Sequence, residues 1–227
     1  MKLELVTILV YVLLYLSQPI PAHAQHSLLD KAKEARQSGP VYAFDMAYAD
    51  NKINAVARVN PSKPIGERVE VLNLEADDHD KDVRAMITAF DAAPLDEFWC
   101  ADFLSLVGAD AQVLSETDNA TVLAFSPKPG PDDDADDRKF LSAMTAQITI
   151  APRTAFVSAF EMRNRKPFKP AFIAKIKSFE MNVTCAPSPD GRTYLANYQV
   201  DISGSVALRR FKEFERRVIS NLVASDG

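Results

Sequence analysis

The segment Ala171–Ser205 carries the clearest fold signal of the chain. It reads AFIAKIKSFEMNVTCAPSPDGRTYLANYQVDISGS. Two runs of alternating apolar and polar residues flank the segment 187–192, which is rich in proline, aspartate and glycine, and this pattern is typical of a β-hairpin. Side chains along a strand alternate between its two faces. The apolar faces are Phe179, Met181, Val183 and Cys185 in the first run, and Tyr194, Ala196, Tyr198, Val200 and Ile202 in the second. We therefore predict the central hairpin of an antiparallel sheet.

Further strand and helix patterns lie on both sides of this hairpin. Strands are predicted at Val41–Ala49, Ile53–Val59, Arg68–Leu74, Gln112–Ser115, Thr121–Ser126, Ala146–Ile150 and Ala155–Arg163. Helices are predicted at His26–Arg36, Asp80–Ala92 and Asp96–Leu106, together with one or two helical turns at Arg138–Thr145. An amphipathic helix is predicted at Ala207–Val223. The predicted fold class is α+β, with a largely antiparallel, curved and meandering sheet, helices inserted on one face and a C-terminal amphipathic helix.

The first 24 residues have the three-part pattern of a secretory signal peptide. Lys2 is followed by the apolar run Leu5–Leu16 and then by the small residues of Ala22–Ala24. A membrane anchor is the alternative, but a spanning helix needs about 20 apolar residues, and this run has 12. We predict cleavage before Gln25 and a single exported α+β domain over residues 25–227, periplasmic or secreted, with no transmembrane segment in the mature chain.

Composition limits the partners and the chemistry. The net charge of −5 argues against nucleic acid as a partner, because binding to phosphates needs a basic face. Histidine is nearly absent beyond the predicted cleavage site, where only His26 and His79 occur, and no Gly-x-Ser-x-Gly motif is present. We predict no catalytic residues, no metal site and no cofactor, and hence no enzyme.

Cys100 and Cys185 are the only cysteines of the chain. Two cysteines in an exported protein are most simply explained as a disulfide. The alternatives are two buried thiols or two ligands of a metal, although the CxxC spacing typical of zinc sites is missing.

Two charged segments have both a functional and a structural explanation. The basic segment carries Arg163, Arg165, Lys166 and Lys169 beside Phe168 and Phe172, with Lys175 and Lys177 further along. It is suited to anionic lipid headgroups or an acidic partner, whereas the structural explanation is a solvated loop and strand edge. The aspartates of 77–82 and 132–137 are explained better by helix starts and a loop than by calcium, because the EF-hand spacing fails.

Large, adaptable apolar side chains predominate on the predicted sheet faces. Methionine and aromatic residues can line a site for irregular apolar ligands, although such residues more often form a core. The predicted lining consists of Tyr42, Phe44, Met46, Phe160, Phe179, Met181 and Tyr198.

The order of elements resembles that of the periplasmic lipoprotein carriers, the LolA/LolB-like group. The segments behind this resemblance are Leu28–Ala35, Tyr42–Tyr48, Asp80–Leu106 and Phe179–Ile202. The resemblance implies an open, curved sheet plugged by helices, with an apolar cavity for acyl chains. The acidic segment Pro127–Asp137 and the cysteine pair depart from that pattern.

Three functions follow as hypotheses from these patterns. The first is a soluble periplasmic binding or carrier protein for an acylated or apolar ligand, such as lipid or lipoprotein acyl chains, acting by non-covalent burial. The second is an envelope protein-interaction module with a filled core and no ligand. The third is an exported enzyme, for which no pair of catalytic carboxylates is placed by the sequence.

Overall fold

A computed structural model describes residues 22–34, 39–76, 80–92 and 98–225. Its strands are β1 Tyr42–Asp50, β2 Ile53–Val59, β3 Val69–Ala76, β4 Gln112–Glu116, β5 Thr121–Phe125, β6 Met144–Ala151, β7 Phe156–Asn164, β8 Ala174–Pro187, β9 Thr193–Val206 and β10 Arg209–Ala224. Its helices are α1 Ala22–Glu34, α2 Asp80–Ala92 and α3 Ala135–Ser142, together with a 3₁₀ helix at Cys100–Leu106. The predicted α+β class with a largely antiparallel sheet is confirmed.

All ten strands form one open antiparallel sheet in the order β3-β2-β1-β10-β9-β8-β7-β6-β5-β4. Strands that follow one another in sequence pair, except β3 and β4, and β1 pairs with β10. The two edges are therefore β3 and β4, which follow one another in the chain. The segment that joins them contains α2 and the 3₁₀ helix, so these helices lie over one face: α2 contacts β2 and β3, and the 3₁₀ helix contacts β7 and β9.

The face beneath the helices, called the inner face below, carries two separate hydrophobic clusters. The first cluster includes Leu123, Met144, Ile148, Ile150, Val157 and Phe160 under the 3₁₀ helix. The second includes Phe44, Met46, Tyr48 and Ile53 together with Val83 and Met86 of α2. Burial of these side chains provides the main driving force for folding of each half.

The predicted central hairpin is present as β8 and β9, the two longest strands after β10. Phe179 and Val183 are buried in the first cluster, and Met181 and Cys185 pack against it, so they share the inner face. A register shift between Thr184 and Cys185 changes the second run: Val183 lies opposite Tyr198, but Cys185 lies opposite Leu195. The strict alternation predicted from Tyr194 to Ile202 is therefore interrupted at one residue.

The prediction of a C-terminal amphipathic helix at Ala207–Val223 is wrong, because these residues form the turn into β10 and the strand itself. Pairing with β9 and β1 places Phe211 and Ile219 on the inner face and Phe214 and Val218 on the outer face. A bulge around Asn221, whose φ is 55°, then returns Leu222 to the inner face. The helical spacing of these residues thus arises from two faces of one strand and a bulge.

The other predicted helices agree in part with the structure. α2 has the predicted bounds, Asp80–Ala92, and Val83, Met86, Ile87 and Phe90 on one side of it belong to the second cluster or pack against it. The predicted helix Asp96–Leu106 is a shorter 3₁₀ helix, and its first residues lie outside the described part of the chain. α3 begins three residues before the predicted turn, because the side chain of Asp134 accepts hydrogen bonds from the N–H groups of Asp136 and Asp137 and caps the helix.

The predicted disulfide between Cys100 and Cys185 is confirmed. It joins the first residue of the 3₁₀ helix to β8, with 6.3 Å between the two Cα atoms and a sequence separation of 85. The bond therefore fixes the helical segment to the strand on which it packs.

The predicted signal peptide lies almost wholly outside the described residues, and α1 spans the predicted cleavage site before Gln25. Among the residues that the structure describes, no helix is both long and apolar enough to cross a membrane.

Arg192, in the turn between β8 and β9, fastens three segments together. Its guanidinium lies 3.5 Å from the ring centroid of Trp99, and its Nη2 donates to the Pro40 carbonyl at 2.6 Å. Its Nε donates to Oδ2 of Asp190 at 2.6 Å. Although burial of Asp190 works in the opposite direction, hydrogen bonds from Ser188 and Arg192 hold the pKa of its carboxyl below the usual range.

Loss of the disulfide should lower the free energy of unfolding by about 2–5 kcal/mol, because the unfolded chain gains conformational freedom. The expected result is a lower urea midpoint for the double variant C100A/C185A and for the reduced wild-type protein. Agreement between the two samples would separate the effect of the bond from that of the substituted side chains. An unchanged midpoint after complete reduction would contradict the prediction.

Asp190→Asn should lower the stability at neutral pH by roughly 1–3 kcal/mol, because Arg192 loses a charged acceptor. The native pKa of Asp190 lies below its value in the unfolded chain, about 3.9. Its contribution is therefore complete above about pH 5 and is lost as the pH falls through the lowered pKa. Urea titrations from neutral to acidic pH should show that the difference in unfolding free energy between wild type and variant becomes smaller in acid.

The control for this titration is Asp132→Asn, which removes the same charge from an exposed position. A gap that is independent of pH, or one of the same size in both variants, would count against the role of Asp190.

Candidate functional site

One row of directly opposed residues crosses all ten strands on the inner face. It consists of Leu74, Ala55, Tyr48, Arg217, Tyr198, Val183, Phe160, Ile148, Leu123 and Val113, from β3 to β4. Arg217 is the only charged member of this row. Opposed residues of antiparallel strands point to the same side, so Arg217 faces the same way as both hydrophobic clusters and lies between them.

The inner face is only partly covered along β9 and β10, in the middle of the sheet, as it is at the edge strand β3, whose Leu74 is 42% exposed. Tyr198, Val200 and Ile202 of β9 are only half-buried, whereas Met46 and Phe160 on the flanking strands are 2% and 0% exposed. The opposing residues of β10 are Arg217, Glu215 and Glu213. We call these six residues of β9 and β10 the trough: it has an apolar floor along β9 and a charged side along β10.

Arg217 is held between two aromatic rings. Its guanidinium carbon lies 4.8 Å from the ring centroid of Phe90 on α2 and 4.8 Å from that of Tyr198 on β9. Such cation–π contacts favour the charged form and restrict the side chain. Its Nε donates a short hydrogen bond to Glu215, and no residue in the described ranges accepts from its terminal nitrogens. The terminal nitrogens of a half-buried guanidinium are therefore available for a ligand.

Three carboxylates lie on the same face of the sheet as this arginine, and Glu215 pairs with it. Glu215 is opposite Asp50 of β1, and its side chain is 29% exposed. Glu213 is exposed and lies opposite Ile202. The trough and the neighbouring Asp50 of β1 therefore offer one donor group with three acidic groups, an arrangement suited to a polar group that both accepts and donates hydrogen bonds.

The two tyrosines beside Arg217 remain neutral at physiological pH. Burial, the hydrogen bond of Tyr48 to Asp50 at 2.8 Å and the charge of Glu215 raise the pKa of Tyr48. Burial also raises the pKa of Tyr198, with Arg217 acting in the opposite direction. The Tyr48 hydroxyl already donates its proton to Asp50, so only the Tyr198 hydroxyl can donate to a ligand, and neither tyrosine is suited to act as a base.

The seven predicted lining residues are divided between the trough and the packed clusters. Tyr198 lies in the trough, and Met181 lies at its edge, opposite Val200. The other five are buried: Phe44 stacks on Phe98 with 4.9 Å between ring centroids, and Phe160 stacks on Phe103 at 4.2 Å. Tyr42 meets Trp99 edge-on, Phe179 meets Phe140 edge-on, and Met46 is in the second cluster. Whether any of the seven contacts a ligand remains a prediction.

The predicted basic residues Arg163, Arg165, Lys166 and Lys169 are all exposed, at the end of β7 and in the connection to β8.

On the outer face, a shallow depression of about 40 Å³ lies across β6, β7 and β8 between Gln147, Glu161 and Asn182. This depression has room for water rather than for an organic ligand.

Arg217, Glu215 and Phe90 were not predicted as site residues. Arg217 and Glu215 lie in the segment predicted as a helix, where they would be solvated. Recognised as a strand, the same segment would place Phe211, Glu213, Glu215, Arg217 and Ile219 on one face. Three charged residues flanked by apolar ones on a central strand would then have indicated the site.

Comparison of the chain with models of known protein families, with curated protein sequences and with solved structures found no match in any of the three.

Proposed function

We propose that the protein is an exported binding or carrier protein for an acylated or otherwise apolar ligand, which it holds in the trough by non-covalent contacts. The observation that carries this proposal is the half-buried apolar floor of β9 in the middle of the sheet, between two packed hydrophobic clusters. An accessible apolar strip at the centre of a sheet is an unusual surface unless something covers it.

The shape of the trough favours an elongated ligand. Val200 and Ile202 lie two residues apart on one strand, and Met181 and Tyr198 lie beside them. Side chains on the same face of a strand are about 6.5–7 Å apart, so these residues form a strip along which a hydrocarbon chain can lie. Methionine and tyrosine adapt their contacts to such a chain.

The charged side of the trough favours a polar group at one end of the chain. The terminal nitrogens of Arg217 can donate to the carbonyl oxygen of an ester or amide. Glu215 can accept from a neighbouring amine or hydroxyl. We infer that the ligand is an acyl chain joined to a polar group rather than a plain hydrocarbon.

Export accords with the disulfide, because such bonds persist in oxidising compartments. A periplasmic or secreted location, after cleavage before Gln25, is part of the proposal.

The second candidate is an envelope protein-interaction module without a ligand. It is favoured by the burial of Tyr42, Phe44, Met46, Phe160 and Phe179, several of them against residues of the segments that connect the strands, which leaves the two clusters filled. In that case the trough would be covered by a side chain or loop of a protein partner.

Native mass spectrometry of the exported protein separates the two candidates. A reproducible acyl adduct is expected, and Ile202→Asp and Met181→Asp should each reduce its retention by at least about tenfold, because a buried carboxylate beside the chain is unfavourable. Ser203→Asp is the matched control: it lies on the same strand but faces outward, so retention should not change.

Folding of each variant is checked by its urea midpoint. Full retention of the adduct by folded Ile202→Asp and Met181→Asp would overturn the assignment of the trough. A wild-type protein that carries no adduct would favour the interaction module.

A further inference from the structure

Four apolar side chains project into solvent where two connections meet at one end of the sheet. Phe172 and Ile173, in the connection between β7 and β8, are 97% and 60% exposed. Val206 and Leu208, at the turn between β9 and β10, are 43% and 96% exposed. The Ala207 N–H donates to the Ile173 carbonyl at 2.9 Å, which joins the two connections. We call residues 163–177 and 206–212 together the tip.

The turn at the tip presents a large apolar residue in a conformation that such residues rarely adopt. Val206 pairs with Arg209, so Ala207 and Leu208 alone make the turn, with φ values of 45° and 68°. Two-residue turns with positive φ usually contain asparagine or glycine. At this position leucine adds both backbone strain and exposed apolar surface, and no packing inside the described fold offsets either.

The neighbouring connection is held firmly in place. Phe168 and Ile176 exchange two backbone hydrogen bonds, of 3.0 and 2.9 Å. Lys139, in the last turn of α3, donates to the Pro170 carbonyl at 2.8 Å. The exposure of Phe172 and Ile173 is therefore a property of an anchored loop.

The charge of the tip is opposite to that of the chain as a whole. Residues 163–177 contain six lysines and arginines and no acidic residue, and residues 206–212 add three more, whereas the chain carries −5. The basic side chains are exposed. They are Arg163, Arg165, Lys166, Lys169, Lys175, Lys177, Arg209, Arg210 and Lys212.

We propose that the tip docks on an anionic lipid bilayer, with Phe172, Ile173 and Leu208 entering the headgroup region and the basic side chains contacting lipid phosphates. A bilayer is favoured over a protein because the apolar side chains stand on separate turns and form no flat patch. Basic residues lie on both connections around them, which is the combination that peripheral membrane surfaces use. The proposal is independent of whether the trough binds a ligand.

The test is co-sedimentation of the exported protein with vesicles of two compositions. The first residue of the protein is established from its intact mass. Binding is expected to vesicles of phosphatidylcholine and phosphatidylglycerol in equal parts, to weaken with added salt, and to be absent with phosphatidylcholine alone. F172S/L208S and K169E/R210E should each reduce the partition coefficient by at least about tenfold.

Matched control variants carry the same changes on other surfaces. I65S/L114S removes two exposed apolar side chains, and K63E/R153E reverses two exposed charges. Both are expected to bind as the wild type does, which separates the tip from general hydrophobicity and net charge.

A tryptophan at Leu208 gives an independent readout of insertion. In L208W, tryptophan emission should shift to shorter wavelength with anionic vesicles, whereas in the wild type the half-buried Trp99 should not respond. The proposal is overturned if the wild type fails to bind anionic vesicles, as an acidic protein partner would predict. It is also overturned if F172S/L208S binds as tightly as the wild type, or if the L208W emission does not move.

Discussion

Pairing of β1 with β10 is the contact on which the rest of the structure depends. It joins the sheet formed by β4 to β10 to the three strands β1 to β3, which would otherwise bury their apolar face only against α2. The pairing brings residues close to both ends of the chain together, since Tyr42 lies opposite Ala224. Such a long-range contact closes a loop of nearly the whole domain, so it must be stabilised by side chains on both strands.

One of those side chains is charged, and the pairing places it partly out of water at a cost in free energy. Arg217 lies in line with Tyr48 and Tyr198, in a row that is otherwise apolar. Removing a guanidinium from water is unfavourable unless it is paired. Here it keeps 35% of its side-chain surface exposed and contacts Glu215 and two aromatic rings. Arg217 can therefore occupy the junction of the two clusters because the half-open trough leaves it partly exposed to water.

The sequence predicted well those elements whose pattern is set by a single face. α2 buries one stripe on β2 and β3, and its bounds, Asp80–Ala92, were predicted correctly. β10 was missed because it is a central strand with different demands on its two faces and a bulge at Asn221, so its residues show no simple period. The turn before it was missed as well, because Ala207 and Leu208 lack the usual turn residues.

Gly204 shows another limit of reading one segment at a time. A Cβ at this position would lie 2.2 Å from the Lys175 carbonyl oxygen and 2.9 Å from the Phe211 ring. Glycine is therefore required at this position by the neighbouring strands β8 and β10 rather than by β9 itself. The candidate site was only partly predicted for the same reason, because Tyr198 and Met181 lie on the hairpin that the sequence revealed, whereas Arg217 and Glu215 reach the trough only through the pairing of β10.

The trough and the tip lie on the same hairpin. Tyr198, Val200 and Ile202 follow β9 toward the turn, and Leu208 lies six residues beyond Ile202, about 20 Å along an extended chain. Phe211 of the tip packs over Gly204, between Leu208 and the trough. If both proposals hold, a protein resting on a bilayer by its tip would hold the open trough at a short distance from the lipid. An acyl chain could then pass between membrane and trough along one strand, with Phe211 as the side chain at the boundary.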